Sequence, residues 1–195
     1  MIKTPAMLLE ELKNYASPKA KLSRMARKGE CILITRGLYE TDRSVPAYLL
    51  AGSIYGPSYI SFEYALSMYG LIPEIVHTVT CACFGKKKMK QYNTPFGLFT
   101  YRDVPPDAFP LSLELKNEGE YWYRIATAEK ALCDLLYTVQ PVRNRKELTA
   151  LLYDDLRMEE AALRALDVAL ISELAENYHS TNVRKLSLYL RRFSK

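Results

Sequence analysis

Residues Ser17–Thr41, SPKAKLSRMARKGECILITRGLYET, read as a basic helix running into a tight two-stranded ribbon, and the rest of the chain is placed around them. Ser17 offers an acceptor to the free amides of a first turn, Pro18 stands where no amide is needed, and Gly29 suits the left-handed residue just past a helix end. At about 100° per residue, Leu22, Met25 and Ala26 fall on one arc while Lys21, Arg24, Arg27 and Lys28 fall on another. One side packs and the other carries positive charge. Cys31 to Thr35 is β-branched and apolar, Arg36-Gly37 fits a two-residue turn with glycine where positive φ is needed, and Leu38-Tyr39-Glu40 returns. A basic helix feeding a hairpin with a charged tip is the pattern of a winged helix-turn-helix, in which the helix enters a major groove and the hairpin touches the backbone beside it. The plainer alternative is the helix and hairpin of an ordinary α+β domain whose basic face is only solvated.

The totals bound the possibilities. A chain of 195 residues suits one large domain, or a small domain followed by a larger one. With 49% apolar residues, 15 Tyr and only 8 Gly, it has the composition of a folded globular protein. The net charge of +5 and the pI near 8.9 are mild, compatible with a polyanionic partner without requiring one. MIKTPAMLLEELKNY contains no apolar run of signal-peptide length, and nowhere do about 18 apolar residues follow one another, so a soluble, cytoplasmic protein with no membrane partner is expected. Four cysteines (Cys31, Cys81, Cys83 and Cys133) do not make a disulfide framework in a chain this long, and reduced thiols are expected.

Pro5 to Tyr15 reads as a first helix, with Leu8, Leu9 and Leu12 placed to pack on Leu22 and Met25. A complete winged helix has three helices before its wing. Only two fit here, so the module is short at its front. The polar run Thr41 to Ser44 is taken as the connector, giving a winged-helix-like domain over residues 1–43 and a larger domain over residues 44–195. In the latter, Pro46 to Ile54 reads as a buried helix, and Ser61 caps a second one with the core-facing stripe Phe62, Ala65, Leu66 and Tyr69, ended by Gly70. From Val76 to Phe84 the period becomes that of a strand, with Cys81 and Cys83 on one face. Strands follow around Thr94-Pro95-Phe96-Gly97 and on either side of Asn117-Glu118-Gly119-Glu120. The middle of the chain is therefore expected to be a small, mainly antiparallel sheet. Thr127 caps a helix from Ala128 to Val139 with Glu129 in its first turn, and Arg145 to Lys195 reads as three or four helices ending in the basic RKLSLYLRRFSK. The fold class is α+β, a short-fronted winged helix followed by a larger domain with a helical C-terminal part.

Few groups point to chemistry. His77, Cys81 and Cys83 are three soft ligands, but strand neighbours splay ligands apart and a zinc site needs a fourth. Two half-buried thiols in a sheet is the preferred reading. No nucleophile elbow, Walker A loop or dinucleotide-binding turn is present. Glu63, Asp103, Glu129 and Asp134, with Lys130, are the groups from which a metal-dependent nuclease would be assembled, because clustered carboxylates hold Mg²⁺ and a lysine assists an attacking water. Glu129 is equally explained by the helix dipole. No metal, cofactor or catalytic residue is assigned. The loop Lys86, Lys87 and Lys88, with Lys90, is the second concentration of charge. On the same face as the opening helix it would extend a phosphate-binding surface, each neutralised phosphate adding about 0.9 to the salt slope.

Four stretches, KLSRMARKGECILITRGLYET, YGPSYISFEYALSMYGLIPE, TPFGLFTYRDVP and YRIATAEKALCDLLY, together resemble the AbiEi-like antitoxins of bacterial type IV toxin–antitoxin (abortive infection) systems. They span Lys21 to Tyr137 in the family's order, and the helical tail is similar as well. The resemblance implies a winged helix ahead of a larger C-terminal domain, repression of its own operon through inverted repeats in operator DNA, and action against a nucleotidyltransferase-like toxin, often without a stable complex. By position it implies DNA contacts from Lys21, Arg24 and Lys28 on the helix and Arg36 on the wing. Arg27 and Lys86 to Lys88 join them on charge alone. The chain departs from the pattern in its short front. Two alternatives stay open, a protein-interaction module whose vestigial winged helix no longer binds DNA, and the metal-dependent nuclease.

Overall fold

The computed structural model describes residues 1–193, so Ser194 and Lys195 at the end of the basic tail lie outside the described residues. The chain is α+β and its strands form two sheets. In the first, β3 (Leu38–Glu40) lies between β1 (Ile2–Lys3) and β2 (Ile32–Thr35), antiparallel to both. Between β1 and β2 run α1 (Pro5–Glu11) and α2 (Pro18–Lys28). Thr4 caps α1 by accepting the Met7 amide at 3.3 Å. α1 ends at Glu11, sooner than the apolar spacing through Tyr15 suggests. Pro18 keeps Ser17 extended (φ −143°), so the first helix must stop and turn before it.

The core of this N-terminal unit is Leu8, Leu12, Leu22 and Cys31, edged by Leu9, Met25 and Tyr39. Four buried side chains are too few to hold a unit of this size by themselves. Ile34, with Ile2 and Leu38 beside it, belongs instead to the main core, so the small sheet leans on the rest of the protein. Glu40 fastens it there: its buried carboxylate accepts the amides of Thr41 (2.7 Å) and Asp42 (3.0 Å) and the hydroxyl of Tyr121 (3.0 Å).

The second sheet has the order β6-β7-β5-β4-β9-β8, built from β4 (Tyr59–Ile60), β5 (Val79–Cys83), β6 (Lys90–Thr94), β7 (Gly97–Asp103), β8 (Leu113–Glu118) and β9 (Tyr121–Ala126). Three of its five strand pairs are antiparallel, in keeping with the expectation, and two are parallel, β5 with β7 and β4 with β9, so the sheet is mixed. The two residues of β4 leave no periodic signal, yet this strand inserts between β5 and β9. β5 is shorter than the alternation Val76–Phe84 and buried along its whole length, as an interior strand is, so Cys81 and Cys83 are fully rather than half buried.

The helices are α3 (Ala51–Ile54), entered through the 3₁₀ turn Ala47–Leu50, α4 (Phe62–Met68), α5 (Ala128–Thr138), α6 (Arg145–Ala150), which continues as a π-type turn over Leu151–Asp155, then α7 (Glu160–Arg164), α8 (Val168–Tyr178) and α9 (Thr181–Leu190). Thr127 caps α5 by accepting the Lys130 amide at 3.3 Å, and Asp167 caps α8 by accepting the Ala169 and Leu170 amides at 2.8 and 3.1 Å. Ser61 makes no side-chain cap on α4. Its hydroxyl is taken by Asp134 at 2.6 Å.

Asp134 is the centre of a buried ionic network that ties α5 to β4 and α8. Lys130 and Asp134 are both 0% exposed and one helical turn apart on α5, with Nζ 3.0 Å from Oδ1. Asp134 accepts the hydroxyls of Tyr59 at 3.0 Å and of Tyr178, and Lys130 also donates to the Tyr178 hydroxyl. The ammonium lies 4.6 Å from the centroid of the Tyr178 ring and 5.4 Å from that of Tyr59. Among the described residues no helix is long and apolar enough to cross a membrane.

Candidate nucleic-acid interface

α2 is ended by Gly29 in the left-handed conformation (φ 73°), whose amide and that of Glu30 close on Ala26 and Met25 at 3.2 and 3.0 Å. Its N-terminal Ser17 contributes a carbonyl, which accepts the Lys21 amide at 3.0 Å, and no side-chain cap. Leu22 is buried and Met25 half-buried, which fixes how the helix is rotated. Arg24, Arg27 and Lys28 are consequently exposed. Lys21 sits at the margin, half-buried, with its ammonium 5.3 Å from the centroid of the Tyr15 ring. Arg27 and Lys28 occupy the last turn, where the helix dipole favours cations.

The hairpin follows at once. Ile32 and Ile34 point inward and are buried, Leu33 points out, and the turn Arg36-Gly37 carries Gly37 at φ 81° and leaves Arg36 exposed. Thr35 is paired with Leu38 across that turn. One cation escaped the sequence reading: Arg43, in the connector, places Nη2 3.6 Å from where a Cβ on Gly29 would stand. It thus extends the positive surface beyond the C-terminal end of α2. Only the folded connector brings it there, since nothing in the run Thr41 to Ser44 marks that arginine out. None of Arg24, Arg27, Lys28, Arg36 and Arg43 is in a salt bridge among the described residues. Their charge is available to an outside anion.

The second basic group is built differently. Asp103 at the end of β7 accepts the amides of Lys86 (2.8 Å) and Lys87 (2.6 Å) with one oxygen, pinning the loop after β5. Lys87 and Lys88 are exposed, while the Lys86 ammonium lies 5.3 Å from the centroid of the Tyr55 ring. β4 runs antiparallel to β5 with Tyr59 opposite Ala82, and β9 runs parallel to β4 with Ile125 opposite Ile60. That register puts Tyr121, where Glu40 docks, at the same end of the sheet as the lysine loop. A third group of exposed cations, Arg184 on α9 and Arg191 just past its end, shares a surface with Leu188 and with Glu176 of α8.

Of the groups considered for metal or acid–base chemistry, Lys130 and Asp134 meet as the buried pair and Cys83 meets Asp103, while the others are not brought together. Glu63 is held by the Arg102 guanidinium, which also lies 3.8 Å from the centroid of the Phe62 ring. Glu129 accepts the Asp167 amide at 3.0 Å, and Asp134 is sealed in the network described above. His77 is exposed and precedes β5, apart from the two buried thiols. Burial, reinforced by a hydrogen bond to Asp103, pushes the Cys83 thiol up to about 12, and burial raises Cys81 and Cys133 as well, so these thiols stay protonated. Among the described residues no three His, Cys, Asp or Glu side chains are grouped to hold a metal ion. Comparison with protein-family models gives no match, and comparison with curated proteins gives none either.

Proposed function

We propose that this chain is an AbiEi-like antitoxin of a type IV toxin–antitoxin system. In this reading it represses its own operon by binding operator DNA and counters a nucleotidyltransferase-like toxin, acting as a regulator in the cytoplasm rather than as an enzyme. One observation carries the DNA part: α2 exposes Arg24, Arg27 and Lys28 without acidic partners and leads directly into a hairpin with Arg36 at its tip. A helix of that kind meets a groove while the hairpin and its cation meet the phosphates alongside. The order β1-α1-α2-β2-β3, with all three strands in one antiparallel sheet, supports the same reading, because a winged helix has this order from its first strand onward. The antitoxin part rests on the four stretches of sequence that resemble the family.

The test is titration of DNA from upstream of its own reading frame at several salt concentrations. A variant with Arg24, Lys28 and Arg36 all replaced by Ala is expected to bind at least tenfold more weakly, with a salt slope shallower by about 2–3. Wild-type affinity in that variant would remove the proposed surface. Binding by the wild type only at low salt, with no preference among sequences, would replace the repressor reading by the protein-interaction alternative. Co-expression with the product of the adjacent reading frame tests the other half: growth restored by this chain supports neutralisation, and unrelieved toxicity overturns it.

A further inference from the structure

The six-stranded sheet has two free edges, β6 and β8, and they differ in character. β6, KQYNT from Lys90 to Thr94, carries one basic residue and no acid, so it offers a second β6 no pair of opposite charges. β8 reads LELKNE from Leu113 to Glu118 and mixes both signs. It is joined to β9 by the two-residue turn Gly119-Glu120, with Gly119 at φ 60° and Glu118 opposite Tyr121. In such a hairpin the pair flanking the turn exchanges main-chain hydrogen bonds, and every second pair beyond it does not. Leu113, Leu115 and Asn117, opposite Ala126, Arg124 and Trp122, therefore turn their N–H and C=O groups to the open edge.

These three residues are also spaced to pair with themselves. Set two β8 strands antiparallel about a two-fold axis through Leu115. Leu115 then faces Leu115 of the second copy, Leu113 faces Asn117 and Glu114 faces Lys116. A shift of two residues one way sets Glu114 against Glu114, and the other way sets Lys116 against Lys116. Only the centred register joins unlike charges while using all three outward-facing residues. Glu114 and Lys116 already form an ion pair within the chain at 2.8 Å, so pairing completes a ring of alternating sign. On the other side of the strand Trp122 (66% exposed) and Leu115 (61% exposed) share a face with Leu113. Pairing sets Leu115 beside its copy, which gives this exposed apolar group a neighbour it lacks in a single chain, while Asn117 stands between Trp122 and Leu113 of the second copy.

We propose that β8 is a self-complementary dimerisation edge, which joins two copies of the chain into one continuous sheet with two-fold symmetry. The proposal does not depend on DNA or toxin, and it is tested without either. An interface made chiefly by one strand pair is small, so the expected Kd is on the order of 10 μM. Sedimentation of the full chain from about 1 to 200 μM should show a monomer–dimer equilibrium. Lys116→Glu should raise the dimer Kd at least tenfold, and Glu114→Lys combined with Lys116→Glu should restore it to within about threefold. A wild type that stays monomeric throughout overturns the proposal, as does dimerisation of the Lys116→Glu variant at wild-type concentration. Failure of the double exchange to restore pairing overturns the register. Growth beyond dimers indicates β8 meeting β6 and overturns it too. Far-UV circular dichroism of both variants keeps a loss of dimer distinct from a loss of fold.

Discussion

The N-terminal unit and the six-stranded sheet solve the problem of staying folded in opposite ways. The first buries four side chains in a core of its own, leaves Arg24, Arg27, Lys28 and Arg36 without acidic partners at the surface, and is secured by Glu40 on Tyr121. The second encloses a full ion pair, Lys130 and Asp134, inside tyrosine rings and hydroxyls. A buried pair offers no advantage over apolar packing in itself, because removing two charges from water costs much of what their attraction returns. What it does supply is selectivity, since Asp134 accepts from Ser61, Tyr59, Lys130 and Tyr178 at once only when β4, α5 and α8 are in a single arrangement. The contrast teaches that the sheet region carries the stability and the N-terminal unit presents charge from it.

Four measurements break or sharpen this contrast. The largest effect is expected from Asp134→Ala, which strands a buried ammonium and three hydroxyls. Urea unfolding should show a loss of about 3–5 kcal/mol felt in both regions together, and a loss confined to one region would contradict the network's central role. Alkaline pH is next. Burial raises the hydroxyls of Tyr59, Tyr101 and Tyr178 above their ordinary value of 10.0, so the folded chain holds these protons more tightly than the unfolded one. The stability they contribute is full below about pH 10 and is lost above it by about 1.4 kcal/mol per pH unit for each tyrosine. Lys130, which burial pushes below its ordinary value, works the other way by one proton at most. Unfolding midpoints that hold constant from pH 8 to 11 would refute this.

Leu8→Ala should cost about 2–4 kcal/mol, but locally. Hydrogen exchange should quicken in α1 and α2 while β5 keeps its protection, and equal acceleration in β5 would erase the distinction between the regions. Tyr121→Phe removes one hydrogen bond to a buried carboxylate and should cost about 1–2 kcal/mol. Its signature is looser docking of the N-terminal unit, read as faster exchange in β2 and β3, and unchanged exchange there would mean that Glu40 does not fasten the sheet.

Much of the N-terminal unit was legible because its signals are local. Pro18 and Gly29 bracket a helix by backbone geometry alone, and Arg36-Gly37 marks its turn by the φ that glycine tolerates. The rotation of α2, with Leu22 in and Arg24 out, follows from the same 3.6-residue period. Thr127 and the strands about Gly119 were readable for the same reason. β1 and β4 were not, since a two-residue strand has no period of its own and exists only through its neighbours. Ser61 misled because a serine before an apolar run has the same local pattern whether its hydroxyl caps the helix or reaches a carboxylate 73 residues away.

The sequence by itself determined the α+β class, the exposed basic helix with its hairpin, and the presence of a lysine loop, all features whose causes lie within a few residues of each other. Tertiary structure alone decided that the sheet is mixed and that Arg43 joins the basic surface. It also decided that Lys130 and Asp134, two of the groups from which a nuclease site was considered, are sealed inside. Each of these depends on partners far along the chain, and a residue's hydropathy says only what its exposure costs, not which neighbours will meet that cost.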